Sequence, residues 1–193
     1  MRRFVKSMEQ HISALLCVRD IRESEIDSAI SFIKNSNNLF LTGIGKNADL
    51  MYKISKTYNS VSIRCSFIDP VNAVHGDIGF IPPGSSIIAS TKSGNTEELV
   101  RFLKALKMLN EDHKIMIIHC NENLKNIEFA DKLIFIPAQT EADHLNIVPT
   151  VSLCAIESFL HSIACEIIED NNFSKKDMAR NHPAGNLGRI CAK

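Results

Sequence analysis

Short apolar runs alternate along the chain with stretches in which apolar side chains recur every three or four positions. Residues 38–42, Asn-Leu-Phe-Leu-Thr, end at Gly43 and read as a buried strand. Residues 46–58 follow with Ala48, Met51, Ile54 and Tyr58 near helical spacing. Residues 61–68 are strand-like, and a short helix is predicted over 70–74, where Pro70 suits a first turn. Residues 86–90 form the next strand. The segment 96–109 then carries Leu99, Phe102, Leu103, Leu106 and Leu109 on one helical face. Two further apolar strands are predicted at 114–119 and 132–136, joined by a short helix over 124–130.

These elements amount to five strands in β–α order. Near-continuous apolar strands suit a parallel sheet covered on both faces, hence an α/β three-layer sandwich. Residues 8–36 read as an amino-terminal helical hairpin, with Ser24-Glu25-Ile26-Asp27 as a capping box for the second helix. The α/β core spans about 38–190. It ends in a loop over 137–148, a long helix from Pro149 and a tail to Arg189. With no repeat, low-complexity stretch or linker, residues 1–193 are expected to form one domain.

Composition narrows the partners. Among 193 residues there are 22 basic and 22 acidic side chains, giving zero net charge, and 45% are hydrophobic. A balanced charge argues against nucleic acid or an anionic membrane, since both select a basic face. Cys17, Cys65, Cys120, Cys154, Cys165 and Cys191 are scattered without a paired spacing, which fits reduced core thiols better than disulfides or a zinc site. The basic start at Arg2 and Arg3 is interrupted by Lys6, Glu9 and His11, so no signal peptide is expected. The long apolar stretch 148–168 contains Glu157, His161 and Glu166 and reads as a buried helix rather than a membrane span. A cytoplasmic protein is the expectation.

Ligands of open parallel sheets bind beyond the carboxyl ends of the strands. Two turns there have anion-binding chemistry. Gly43-Ile44-Gly45-Lys46-Asn47-Ala48 runs from strand to helix, where glycines and free N–H groups favour an anion. It also satisfies G-x-G-x-x-A with Asp69 downstream, so a dinucleotide site competes; a P-loop does not, because Gly-Lys-Ser/Thr is absent. Ser90-Thr91-Lys92-Ser93-Gly94-Asn95-Thr96 concentrates four hydroxyls, a lysine and a glycine before the next helix. Helix capping by Ser93 or Thr96, completed by Glu97 or Glu98, explains any one hydroxyl, while a bound phosphate explains the cluster.

The ordered motifs Gly43-x-Gly45-Lys46, His75-Gly76-Asp77-Ile78-Gly79, Thr91-x-Ser93-Gly94-x-Thr96-x-Glu98, Glu141-Ala142 leading to Pro149-Thr150, and His182-Pro183-x-Gly185-x-Leu187-Gly188-Arg189 resemble the sugar isomerase (SIS) domain of the arabinose-5-phosphate isomerases. The resemblance covers about 38–190, without the paired CBS domains many members carry. It implies a flavodoxin-like fold and interconversion of D-arabinose 5-phosphate and D-ribulose 5-phosphate through a cis-enediol, at the entry to Kdo for lipopolysaccharide or capsule. It implies no redox cofactor, and a homotetramer with shared active sites. Glu141, Asp143 and His144 suggest a metal site, but such loop clusters are more often solvated polar residues, so no metal is expected.

Carried over from the family, Lys46, Glu98, Glu141 and His182 are the catalytic positions, with His75 as an additional histidine. Glu141 is the expected base, its carboxyl raised toward neutrality by burial. His182 is expected to assist ring opening or oxygen proton transfer, Lys46 to stabilise the enediolate and Glu98 to orient Lys46 or a hydroxyl. Gly45, Asn47, Thr91, Ser93, Gly94 and Thr96 are expected to hold the phosphate. Three departures stand out: Asn47-Ala48 replaces the family's Ser-Gly, Lys92 replaces its Asn between two hydroxyls, and Asp143-His144-Leu145-Asn146 occupies the loop after Glu141. Three other readings are carried beside this one: a non-catalytic phosphosugar-binding module, an isomerase of another sugar phosphate, and an NAD-dependent oxidoreductase resting on the glycine turn and Asp69.

Overall fold

Parallel pairing requires a crossover between strands, and the apolar runs and amphipathic segments supply it. In the computed structural model, which describes residues 2–192, β1 (Leu39–Gly43), β2 (Cys65–Phe67), β3 (Ser86–Thr91), β4 (Lys114–His119) and β5 (Lys132–Phe135) form one parallel sheet in the order β2-β1-β3-β4-β5. The terminal residues of the one-domain reading, Met1 and Lys193, lie outside the described residues. The order reverses between β1 and β3, which makes a crevice at the carboxyl ends of that pair.

Period-two alternation sorts the strand side chains between two helical layers. Leu39, Leu41, Ile88, Met116, Ile118 and Ile134 pack with α1 (Arg3–Arg19), α2 (Glu23–Lys34), α3 (Lys46–Ser60) and α6 (Val151–Asp170). Phe40, Ile87, Ala89, Ile115 and Ile117 face the opposite layer, α4 (Pro70–Ala73) and α5 (Glu97–Leu109). Each fully buried Ile, Leu or Phe contributes roughly 1.5–3 kcal/mol of transfer free energy. Tyr58 Oη donates to the Leu160 carbonyl at 3.0 Å, so the buried hydroxyl that joins α3 to α6 is satisfied. The predicted three-layer α/β sandwich with a five-stranded parallel sheet is the observed fold.

Several local expectations need correction. β2 is shorter than 61–68 because α3 runs on to Ser60, and the chain turns through Ser62 at φ 66 while the Ile63 amide bonds the Tyr58 carbonyl at 2.9 Å. The segment 124–130 is not helical. Asn121 Oδ1 accepts the Asn123 amide at 3.0 Å, an Asx turn that competes with helix nucleation, and Ile127 and Phe129 pack from an irregular loop. Ser24 does not cap α2: the helix starts at Glu23, where Glu23 and Glu25 meet its positive end and Arg22 pairs with Glu25. α1 begins at Arg3, ahead of the predicted start. The tail folds into two short helices, α7 (Lys175–Asn181), with a Ser174–Asp177 capping box, and α8 (Gly185–Cys191).

α6 is long and apolar enough to cross a membrane by length and composition, but nine of its residues are buried in the core, as expected of 148–168. All six cysteines are free, although only Cys120 is a core thiol; Cys17 and Cys165 are exposed.

Candidate functional site

The glycine turn after β1 and the hydroxyl turn after β3 leave the sheet on either side of the strand reversal. Gly43 is required by close approach, since a Cβ there would stand 2.8 Å from the Asn47 backbone carbon. Gly45 then turns the chain at φ 57 and ψ −127, a conformation glycine adopts readily. Lys46 is the exposed first residue of α3. Asn47 points back across the crevice, where its Oδ1 accepts the buried Ser90 hydroxyl at 2.7 Å.

The second turn is organised by its own hydroxyls. Thr91 Oγ1 accepts the Gly94 amide at 3.2 Å and lies 3.3 Å from Thr96 Oγ1, while Ser93 Oγ accepts the Asn95 amide at 3.1 Å. Gly94 has φ 82, and a Cβ there would meet Leu124 Cδ2 at 2.4 Å. Thr96 occupies the N-cap position of α5, yet its side chain makes no capping bond. Capping therefore does not account for this hydroxyl.

A cleft of about 450 Å³ opens over both turns, lined by Asn47, Lys92, Ser93, Thr96, Asn121 and Gln139 among others. That is room for a small polar ligand. A second cavity of about 450 Å³ lies between the α1–α2 turn and the ends of β4 and β5, with Asp20, Arg22, Glu25 and His119 on its wall. It lacks the hydroxyl turn.

Glu141 is buried and fully engaged. Its Oε2 accepts the Thr150 amide at 2.8 Å, the Thr150 hydroxyl at 3.2 Å and the Ser152 amide at 3.2 Å. Its Oε1 accepts the Ser152 hydroxyl and lies 2.7 Å from Lys92 Nζ. Burial alone would raise this carboxyl, but Lys92, Ser152 and Thr150 together hold it down at about 2. The expected tuning toward neutrality is thus reversed: as placed here, Glu141 is a fixed anion at the amino end of α6. Sequence reasoning noted the added charge of Lys92 and assigned it no task; its departure from the family's Asn was the available signal.

The remaining predicted residues are spread along the sheet. Glu98 is exposed in the first turn of α5, and His75 is exposed just after α4. Lys46 and Glu98 flank the crevice without lining the cleft. His182 is elsewhere: the preceding Asn181 donates to the Ser60 carbonyl at 3.0 Å and to Ser62 Oγ at 2.8 Å, at the far end of α3. The 15 residues of α3 span roughly 20 Å at ~1.5 Å per residue, so one chain does not bring His182 to Lys46. Its Nδ1 instead lies 3.2 Å from the Met178 carbonyl.

Asp69 is spent as the N-cap of α4, accepting the Val71 amide at 2.8 Å and Asn72 Nδ2 at 3.1 Å, which removes the acid a dinucleotide ribose would need. Asp143 is likewise committed, accepting the Leu145, Ile147 and Val148 amides at 2.9–3.0 Å. Among the described residues no cluster of three His, Cys, Asp or Glu side chains is placed to hold a metal.

The chain is 30% identical over 172 residues to the arabinose 5-phosphate isomerase KpsF of Escherichia coli O6:H1, a match covering 89% of this chain and 52% of that protein. Escherichia coli CFT073 c3406, solved in complex with a phosphosugar ligand, superposes with a TM-score of 0.86 at 24% identity, over 93% of this chain and 95% of that one. The sugar isomerase domain of an RpiR transcription factor from Sphaerobacter thermophilus superposes with a TM-score of 0.73 at 14% identity, over 92% and 94% of the two chains. The chain has the sugar isomerase (SIS) fold. Its resemblance to the arabinose-5-phosphate isomerases, read from the motifs, holds across most of its length. It spans about half the length of the curated relatives it matches. No family model matches the chain.

Proposed function

We propose that the chain is a phosphosugar aldose–ketose isomerase acting on D-arabinose 5-phosphate and D-ribulose 5-phosphate without a redox cofactor, as one cytoplasmic domain over 1–193. The observation that carries this reading is the cleft at the strand reversal, where the hydroxyls of Ser93 and Thr96 and the side chain of Asn47 converge. Such a set grips a phosphate and leaves the sugar's carbonyl end toward the starts of α3 and α5. Thr91, Gly94 and Gly45 shape those turns. The activity named for relatives such as KpsF supports the choice of pentose phosphate.

Moving a proton between neighbouring carbons needs a base poised near neutral pH and a cation for the enediolate. Glu141, held as an anion, is a poor base. The work falls to His182 of the partner subunit in a homotetramer with shared sites, since a neutral imidazole has one nitrogen that accepts a proton and one that donates. Lys46 stabilises the enediolate, and Glu98 and His75 handle oxygen-bound protons. Kdo supply for lipopolysaccharide or capsule would follow from that substrate.

The position of His182 within one chain, and the same fold in a transcription factor's sugar isomerase domain, favour one alternative: a phosphosugar sensor without turnover. With ribulose 5-phosphate in deuterated water, NMR is expected to show solvent deuterium at the exchanging carbon. A panel of phosphosugars that bind but incorporate none would establish the sensor instead.

A further inference from the structure

We propose that Lys92 is the phosphate-binding cation of the cleft and that Glu141 is its positioning residue. The phosphosugar reading above supplies the identity of the anion. A lysine carries a compact charge on a flexible four-carbon stem and ordinarily samples many rotamers. Here both ends of the residue are fixed. The Lys92 carbonyl accepts the Cys120 amide at 3.0 Å, and Nζ is tied to Glu141 Oε1 at 2.7 Å. The side chain keeps 34% of its exposure and lines the cleft, whereas that of Glu141 keeps none.

That asymmetry decides what a ligand meets. A surface ion pair presents little net charge, but this carboxylate is turned inward. Its negative charge is shared with the Thr150 and Ser152 amides at the positive end of the 20-residue α6, and with two hydroxyls. The ammonium has three N–H donors and gives one to Glu141, leaving two for a ligand. Ser93, Thr96 and Asn121 line the same cleft and add neutral donors around it. Glu122 is the opposing charge on the wall; it is exposed, so solvent screens it more than the fixed ammonium. The buried acid thus acts through the lysine, orienting a cation where a phosphate arrives.

Titration of the full chain with inorganic phosphate, followed by 31P NMR, tests this. Lys92→Met is expected to weaken binding about tenfold or more, the size of a lost charge-assisted hydrogen bond. Lys92→Arg is expected to stay within a few-fold of wild type, while Glu141→Gln weakens binding although the lysine charge remains. In ribulose 5-phosphate turnover the Lys92 loss should appear mainly in KM. Because Lys92→Met strands a buried carboxylate, the double variant Lys92→Met/Glu141→Gln provides a folded control, checked by circular dichroism. Wild-type phosphate affinity in the folded double variant, or no phosphate binding by the wild type, overturns the proposal. Normal wild-type turnover beside an unaffected double variant sinks this inference alone. Phosphate binding by the wild type that is lost in the Lys92→Met variants, where the wild type turns over no phosphosugar, sinks the isomerase reading and leaves this one standing.

Discussion

The β3–α5 turn and the α7–α8 tail carry two of the densest motifs in the chain, and they are built in opposite ways. In the turn, Thr91 bonds Gly94 and Thr96, Ser93 bonds Asn95, and Ser90 and Lys92 reach across to Asn47 and Glu141. These hydroxyls, amides and the lysine come together within one chain. In the tail, α7 and α8 fold onto each other so closely that a Cβ on Gly188 would stand 1.8 Å from the His182 carbonyl oxygen. Asn181 moors that unit at the opposite end of the sheet, with Leu187 and Ile190 half exposed. The hydroxyl turn is therefore preformed within one chain, whereas the tail motif, on the function proposed above, would serve the site of another copy.

The sharpest way to break this contrast is to separate the halves. Lys46→Ala and His182→Ala should each lower turnover by about 100-fold or more, with secondary structure unchanged. Co-assembled, the two variants should regain activity, because some sites then receive both intact residues. A mixture no more active than its parts would show that the tail serves no neighbouring site.

Next in size is stability. Glu141→Ala should cost about 3–5 kcal/mol in urea unfolding, since it leaves a cation and an uncapped helix start behind. The folded carboxyl sits at about 2 against an ordinary 4.5, so its contribution is complete above that ordinary value and disappears as pH falls toward 2. Wild type should lose roughly 3 kcal/mol over that window, and the variant's acid limb should be flatter by the same amount. Equal acid limbs would mean that the pair is solvated in solution.

Smallest is Thr96→Ala. An N-cap whose hydroxyl caps its helix costs about 1 kcal/mol to remove. Thr96 makes no such bond, so unfolding should move by less than about 0.5 kcal/mol while phosphate affinity falls a few-fold. A full capping penalty would return that hydroxyl to the helix.

The strands were legible because a buried parallel strand leaves little choice but a continuous apolar run, as at Leu39–Gly43 and Lys114–His119. Residues 61–64 misled because Val61 and Ile63 are apolar for a different reason: they pack while the chain turns out of α3. The loop 124–130 misled because its apolar residues pack from irregular backbone, where periodicity has no bearing. In the site, the hydroxyl turn was legible from composition alone. The Lys92–Glu141 pair was not, because burial and ion pairing join segments far apart in the chain, and the sign of the Glu141 shift depends on which donors surround it. Nor does a tail motif say which end of the sheet it reaches; for His182 that depends on the Asn181 contacts with Ser60 and Ser62.

The 2.7 Å bond from Ser90 to Asn47 has a mechanical consequence. It stitches the exit of β3 to the first turn of α3, so widening the crevice floor there would first have to break that bond. A ligand pressing on either turn loads both, and discrimination among sugars would then fall to the rim above a floor that this bond holds together.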